Sequence, residues 1–402
     1  MRELIVGAGI LGCALARQLA LRTGDARGIT VVDPNPVASQ ATARAAALMS
    51  LARPWRRSHW VPLVQRTLAA IDELRDEGHD VPLHRCGALH VAASDEARAV
   101  LADHQATAAL HGIDCLVEAP IYFADRLPWL DCAAFGQGLW FPDEAYTDPY
   151  LLASAYAASA RRRGVRFVAT AVRLEAERDR VRVRVDGDSW IPDRVWVAAG
   201  AWSNALLAPL GSAAPYAPVR SQYWIPGPSA LAPAVMPMVL APDLRLYARF
   251  ELGAVLFGLR ESHGAVADPR SLPADLAGFT FDGDNGTAAL EAGFEALARF
   301  APQLLDLGLR HHVSGPSGYS PDGEFAAGPI APWTNLMVLG ACNGAGIAVS
   351  AGLAAFAADL ADGRADAALA AKFAPDRFGA FDPWSRQWVD TCIAARSAKA
   401  SG

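Results

Sequence analysis

No stretch of this chain approaches the ~20 consecutive apolar residues that a membrane span needs. The N-terminal run Leu4-Ile5-Val6 is also too short for the core of a signal peptide. Basic charge is not in excess: 36 Lys+Arg stand against 42 Asp+Glu, a formal net charge of -6 that offers no field to gather nucleic-acid phosphates or an anionic bilayer. The six cysteines (Cys13, Cys86, Cys115, Cys132, Cys342, Cys392) form no C-x-x-C and no metal-like spacing with histidine. Reduced thiols are therefore expected, and no metal. There is no repeat with a period of roughly 20 to 50 residues, and only the terminal "SAKASG" reads as a frayed tail. These absences point to a cytoplasmic protein with neither nucleic acid nor membrane as partner. What remains is 402 residues, 52% hydrophobic and 19% charged, enough to bury a large core in two or three units.

The segment "LIVGAGILGCALARQLA", residues 4 to 20, carries the first chemistry. Gly7, Gly9 and Gly12 are spaced as G-x-G-x-x-G between a buried strand, Leu4 to Val6, and a helix over 10–21 with Leu11, Leu15 and Leu19 on one face. "GITVVDP" follows as a second strand ending at Asp33, 21 residues after Gly12. Gly7 permits a tight turn, Gly9 a close approach of backbone to a pyrophosphate, and Gly12 close packing of helix on strand. The helix N-terminus adds aligned N–H dipoles. Asp33 can accept from a ribose 2'-hydroxyl, which disfavours NADP. FAD and NAD both remain open on this fingerprint.

Ser58 is expected to cap a helix running to Gly78, with Val61, Val64, Leu68, Ile71 and Leu74 on its apolar face. From 84 to 145 the pattern changes to an inserted α+β region, with a strand in "GALHVA" and a helix capped by Ser94. Asp148-Pro149 opens another helix, and Val181, Val183 and Val185 alternate with Arg180, Arg182 and Arg184 on a strand with one dry face. Residues 215–310 supply the strands "VRSQYWIP", "LRLYARFE" and "AVLFGLRE" and a helix over 288–299, and read as the second part of the insertion. "NLMVLGACNGAGIAVSAGLAAFAADLADG" returns to strand, glycine-rich turn and helix. It places Gly344 and Gly346 at a helix start whose dipole can face the charge of a reduced flavin.

Taken in order, "VGAGILG" with Asp33, "ASQATARAAALMS", "DPYLLASAYAASARRRGVRF" with Val172, "VAAGAWSNALLAPLG", "YSPDGEFAAGPI" and "NGAGIAVSAGLAAFAADL" resemble the D-amino-acid oxidase superfamily of FAD enzymes. The likeness falls in the branch holding glycine oxidase, sarcosine oxidase and dimethylglycine dehydrogenase, and it covers nearly the whole chain. It implies an α/β fold: a Rossmann-like FAD-binding domain over 1–83, 146–214 and 311–402, with an inserted α+β substrate domain over 84–145 and 215–310. An antiparallel sheet of that insertion would roof the substrate pocket. Gly7, Gly9, Ile10, Leu11, Gly12 and Asp33 would hold the ADP half of FAD, and Thr42, Arg44 and Ala45 the pyrophosphate and ribityl. Val172 would bond the adenine, while Ala199, Gly200 and Trp202 line the cofactor. Asn343, Gly344, Ala345, Gly346 and Ile347 would sit under the flavin.

Departures from the family pattern limit what the resemblance implies. Ser317 stands where glycine oxidase-like members place an arginine for the substrate carboxylate, and Ala348 where monomeric sarcosine oxidases place a lysine. The flavin-linking cysteine of those oxidases falls on Gly315, so FAD is expected to be non-covalent. Their oxygen-activating lysine is matched by Leu256, which leaves oxygen or another electron acceptor open. For an anionic substrate the candidate cations are Arg53, Arg56, Arg57, Arg220, Arg249 and Arg260. Trp55, Tyr223, Trp224 and Tyr247 are candidate pocket rings, and His59, His311 and His312 candidate bases.

The expected reaction is oxidation of a C–N bond of an amine, with hydride passing to flavin N5. A larger amine with an apolar or aromatic body, held through Arg53 or Arg56, is the favoured substrate. The alternatives are a 2-hydroxy-acid dehydrogenase, which needs a base, and the flavoprotein subunit of a heteromeric dehydrogenase.

Overall fold

The computed structural model describes residues 2–52, 57–281 and 286–399. Its first layer is a six-stranded sheet in the order Ala326–Pro329, Leu336–Gly340, Arg194–Val197, Glu3–Val6, Ile29–Asp33, Arg166–Ala169. All neighbours run parallel except the first pair. Strand alternation sorts the side chains between two cores. Ile5, Val31, Trp196 and Leu339 pack with helices Ile10–Arg22, Val61–Asp76, Pro149–Arg162 and Ser350–Ala361. Leu4, Val6, Val195, Val197 and Val338 face an antiparallel meander over 173–190, whose Val181, Val183 and Val185 point at them. Both faces of the parallel sheet are thus covered, as its continuous apolar strands require.

The second layer is an eight-stranded sheet in the order Leu309–Tyr319, Ala217–Pro226, Ala254–Leu259, Leu246–Glu251, Met238–Ala241, Ala88–Ala92, Gln137–Phe141, Leu116–Glu118. It is antiparallel except where Met238–Ala241 runs parallel to Ala88–Ala92. Strands from both expected insertion segments meet in it. The expected boundary at 311 cuts through Leu309–Tyr319, which pairs along Ala217–Pro226. Its sequence LRHHVSGPSGY has no apolar alternation to announce a strand. One face of this sheet buries Trp224, Phe257, Ala248, Val239 and Leu89 beneath helix Thr287–Phe300.

Local signals held in part. Ser94 accepts from Ala97 N–H and Asp148 from Leu151 N–H, as N-caps do. Ser58 does not cap: it opens a 3-10 turn, and helix Val61–Asp76 starts after Trp60 with Pro62 in its first turn. The C-terminal helix Arg386–Ser397 is docked, with Ile393 beside Val219 and Tyr319. Part of the expected tail is therefore held: Arg245 donates to the Ser397 carbonyl and Lys399 Nζ to the Asn343 carbonyl. Among the described residues no helix is long and apolar enough to cross a membrane, and no group of three or more His, Cys, Asp or Glu is placed to hold a metal ion.

Candidate active site

The loop after the first strand turns where only glycine fits. Gly7 has φ +111°, and a Cβ there would meet the Ala198 carbonyl oxygen at 2.5 Å. A Cβ at Gly12 would lie 1.9 Å from Gly7 O, so Gly12 serves the helix–strand contact and does not line the cavity. Gly9 is the helix N-cap without a side chain. Gly7, Gly9, Ile10 and Leu11 in this way present a helix N-terminus to a cavity of about 440 Å³. Two acceptors hold the loop: Asp33 Oδ2 takes Ala8 N–H at 2.8 Å and Thr42 Oγ1 takes Ile10 N–H at 3.0 Å. Burial raises the Asp33 carboxyl above its ordinary value against the pull of the Ala8 and Asn35 amides.

Ala45, Val172, Ala199, Gly200 and Trp202 continue the wall. Arg44 lines it with its stem, but its charge is turned to backbone: Nη1 donates to Ser39 O and Gln40 O at 3.2 and 2.9 Å, and Nη2 to Leu276 O at 2.9 Å. The bare Cα of Gly315 accommodates that stem, since a Cβ would come within 3.2 Å of Arg44 Cβ and Cδ.

Gly344, Ala345, Gly346 and Ile347 line the cavity in a turn, and the helix starts only at Ser350. The glycines precede the helix instead of opening it, because Asn343 (φ +50°) and Gly344 (φ +74°) adopt left-handed backbone that a helix cannot continue. Asn343 itself is buried away from the cavity. It holds the turn, donating Nδ2 to Glu324 O at 2.9 Å and to Ala341 O at 2.6 Å, and accepting Ser320 N–H at 3.1 Å.

The eight-stranded sheet closes the cavity with Tyr223 and Tyr247. The Tyr247 ring lies across Gly258, where a Cβ would meet it at 2.3 Å. Trp224, the residue after Tyr223 on strand Ala217–Pro226, points to the opposite face, stacked between Phe257 and His312 at 5.7 and 5.5 Å. His59 also lies off the cavity: its Nε2 is 3.0 Å from Glu324 Oε2, which Trp60 Nε1 shares at 3.0 Å, with Arg57 Nε 3.4 Å from Oε1. His312 bonds Gln222 Oε1 at 2.9 Å on the outer side, and His311 is exposed. Arg53, Trp55 and Arg56 lie outside the described residues. The segment leading to them is anchored by fully buried Glu144, whose Oε1 accepts from Ser50 Oγ, Leu51 N–H and Ala52 N–H at 2.7, 2.9 and 3.2 Å.

Of the arginine candidates, Arg249 is spent on Ala46 O, Phe250 O and Glu251, and Arg220 on Glu261. Arg260 reaches the cavity wall. Beside it stands Arg396, which sequence reasoning missed because the C-terminal helix carries no motif and ends where a tail was expected. Burial, then Arg260 next to it, lowers the Arg396 guanidinium to about 10. Burial pushes the Tyr319 phenol up, but Arg260 and Arg396 outweigh it and the net shift is downward. Ser317 and Ala348 line the same cavity without charge.

A glycine turn at a helix N-terminus, an acidic acceptor beyond it and a second glycine turn at the other end suit a flavin dinucleotide. At Gly9 a Cβ would stand 3.3 Å from Thr42 Oγ1, in the space a pyrophosphate approach requires. Residues 3–360 match the model of the family described as FAD dependent oxidoreductase. The chain belongs to that family. Glycine oxidase of Pseudomonas aeruginosa is 27% identical over 394 residues, 93% of this chain and 98% of the relative. Mitochondrial dimethylglycine dehydrogenase of Rattus norvegicus is 26% identical over 338 residues, 79% of this chain. The chain spans only 38% of that longer relative. Among solved structures, L-proline dehydrogenase from P. horikoshii superimposes with a TM-score of 0.78 at 19% identity, covering 94% of this chain and 97% of the other. Iminodiacetate oxidase from Chelativorans sp. BNC1 gives 0.76 at 23% identity, covering 93% and 99%.

Proposed function

We propose that this enzyme oxidises a C–N bond of an amine or amino-acid-like substrate with non-covalently held FAD. The composition of the cavity wall carries this reading. Among the described residues, tyrosines, arginines and backbone turns line it; Asp33, beside the first glycine turn, is the acidic side chain there, and no histidine, glutamate or lysine is present. Oxidation of an alcohol asks for a base within hydrogen-bond reach, whereas an amine that arrives neutral needs none. The names of the relatives, acting on glycine, dimethylglycine and iminodiacetate, support the same class.

FAD, when bound, supplies the acceptor for the hydride leaving the carbon next to nitrogen. The chain's own part is to hold and shield. Gly7 to Leu11 would take the pyrophosphate, Asp33 the ribose, and Gly344 to Ile347 the flavin edge, with Tyr223 and Tyr247 excluding water from the substrate's apolar body. Gly315 has no thiol, and burial pushes the Cys342 thiol, which lines the cavity, up to about 12, so it stays protonated and a poor nucleophile. Oxygen or another acceptor would reoxidise the flavin. In this reading 1–83, 146–214 and the chain beyond 320 bind FAD, and the eight-stranded sheet with its helices binds substrate.

The test is anaerobic mixing of the purified enzyme with amines, amino acids and 2-hydroxy acids while the oxidised flavin band is followed. Bleaching by amines or amino acids is expected. Bleaching by hydroxy acids alone overturns the reading.

A further inference from the structure

Near the Tyr319 end of the cavity, two guanidinium groups, Arg220 and Arg396, share the carboxylate of Glu261, and a third, Arg260, is tied to the backbone of Arg396. Glu261 Oε1 accepts from Gln222 Nε2 at 2.8 Å and pairs with Arg220, while its Oε2 lies 3.1 Å from Arg396 Nη2. Arg260 donates Nη1 to the Arg396 carbonyl at 3.0 Å, tying the C-terminal helix to the sheet. Arg396 is 2% exposed and Arg260 8%. Among the described residues, Nε and Nη1 of Arg396 and Nε of Arg260 are buried without any hydrogen-bond partner, and both residues line the cavity. Buried guanidinium N–H groups left unpaired are strongly unfavourable, and the oxygens of a bound anion would accept from them.

We propose that Arg260 and Arg396 form the subsite for the carboxylate of the substrate. The inference rests on the C–N oxidation reading and narrows it, from amines in general to amino acids, N-substituted ones included, that carry a free carboxylate. The Tyr319 hydroxyl stands between this subsite and the second glycine turn: a Cβ at Gly344 would lie 2.6 Å from it. The carboxylate is therefore held beside that turn. The tyrosine faces of the sheet receive the rest of the molecule. Ser317 and Ala348 on the same wall offer no competing charge.

The probes are phenylacetate and phenylacetamide, alike in shape and different in charge. Each is titrated into the FAD-loaded enzyme by calorimetry and by perturbation of the flavin spectrum. Wild-type enzyme should bind the acid roughly 30-fold or more tighter than the amide. Arg396→Met should weaken the acid by a similar factor and leave the amide unchanged, with Arg396→Lys recovering part of the difference. If Arg396→Met does not fold or loses FAD, Arg260→Met is the second variant, and the wild-type comparison of acid with amide stands alone as a test. Equal binding of acid and amide by the wild type overturns the subsite, as does undiminished acid binding in a folded Arg396→Met or Arg260→Met enzyme. In those cases the protein is still yellow. Failure of the C–N oxidation reading would show separately, as a flavin that only hydroxy acids bleach or as a protein that takes up no FAD.

Discussion

Three glycines of one motif do three different things, and each has its own consequence on substitution. Gly12 faces the Gly7 carbonyl at a distance no Cβ tolerates, while Gly9 faces open cavity and the Thr42 hydroxyl. Gly9→Val should therefore leave the fold intact and lower FAD affinity roughly tenfold or more, a clash of about 1.4 kcal/mol being enough. Gly12→Ala should instead destabilise the apoprotein by roughly 1–3 kcal/mol or more through overpacking against backbone. Flavin absorbance per mole of protein and thermal melts of both variants separate the two effects. Full FAD content in Gly9→Val would sink the placement of the pyrophosphate at this turn. At this scale the sequence was legible where a residue's backbone mattered and opaque where side-chain direction did. Tyr223 and Trp224 are neighbours on a strand buried on both faces, so hydropathy gives no phase, and only the sheet decides that Tyr223 meets the cavity. Arg44 and Arg396 are the converse case: one lies in a motif and turns its charge to backbone, the other lies in no motif and reaches the cavity wall.

Helices are legible in the sequence where caps and periodicity coincide, as at Ser94 and Asp148. The start of the last nucleotide-domain helix is less legible: left-handed backbone at Asn343 and Gly344 delays it to Ser350, past Gly346. Tertiary ties between helices were not readable at all, since they join residues far apart in sequence. Glu77, at the end of helix Val61–Asp76, takes Arg17 Nη2 at 2.7 Å from helix Ile10–Arg22. It also takes Ser159 Oγ at 2.6 Å from helix Pro149–Arg162 and Arg163 Nη1 just beyond it at 3.1 Å. Burial opposes ionisation of Glu77, but these donors outweigh it and hold the carboxyl down at about 2, against an ordinary 4.5. Because the folded pKa is the lower one, the stabilisation is complete above about pH 4.5 and is lost as pH falls toward about 2. Allowing for solvent screening at this partly exposed site, its size is on the order of 1–2 kcal/mol. Urea midpoints of wild type and Glu77→Gln should differ at pH 7 and draw together as the pH falls from about 4.5 toward about 2. A gap of constant width across that range would show that the Glu77 charge is not what joins the three helices.

On the scale of the whole molecule, the cavity belongs to neither sheet alone. Its lining comes from the turn after Val6, the 39–48 segment, the turn at 344–347 and the inward face of the eight-stranded sheet. The parallel layer is legible in the glycine motif and its flanking strands, and the antiparallel layer is what the family resemblance implies. Their junction is not legible, because the strand Leu309–Tyr319 and the C-terminal helix close it without any periodic signal. A cofactor held at such a junction touches both layers and so stabilises them together. Saturating FAD at about 100 times its dissociation constant adds about 2.7 kcal/mol to the folded state. The FAD-depleted protein should therefore melt a few degrees lower, and FAD should restore the loss in proportion to the logarithm of its concentration. With Gly315 in the linking position and the Cys342 thiol protonated, acid precipitation should leave the yellow colour in solution over a colourless pellet. Colour retained by the pellet would mean a covalent bond formed elsewhere on the wall. An unchanged melting temperature on FAD removal would mean that the two layers are held together by their own contacts and that the cofactor only occupies the space between them.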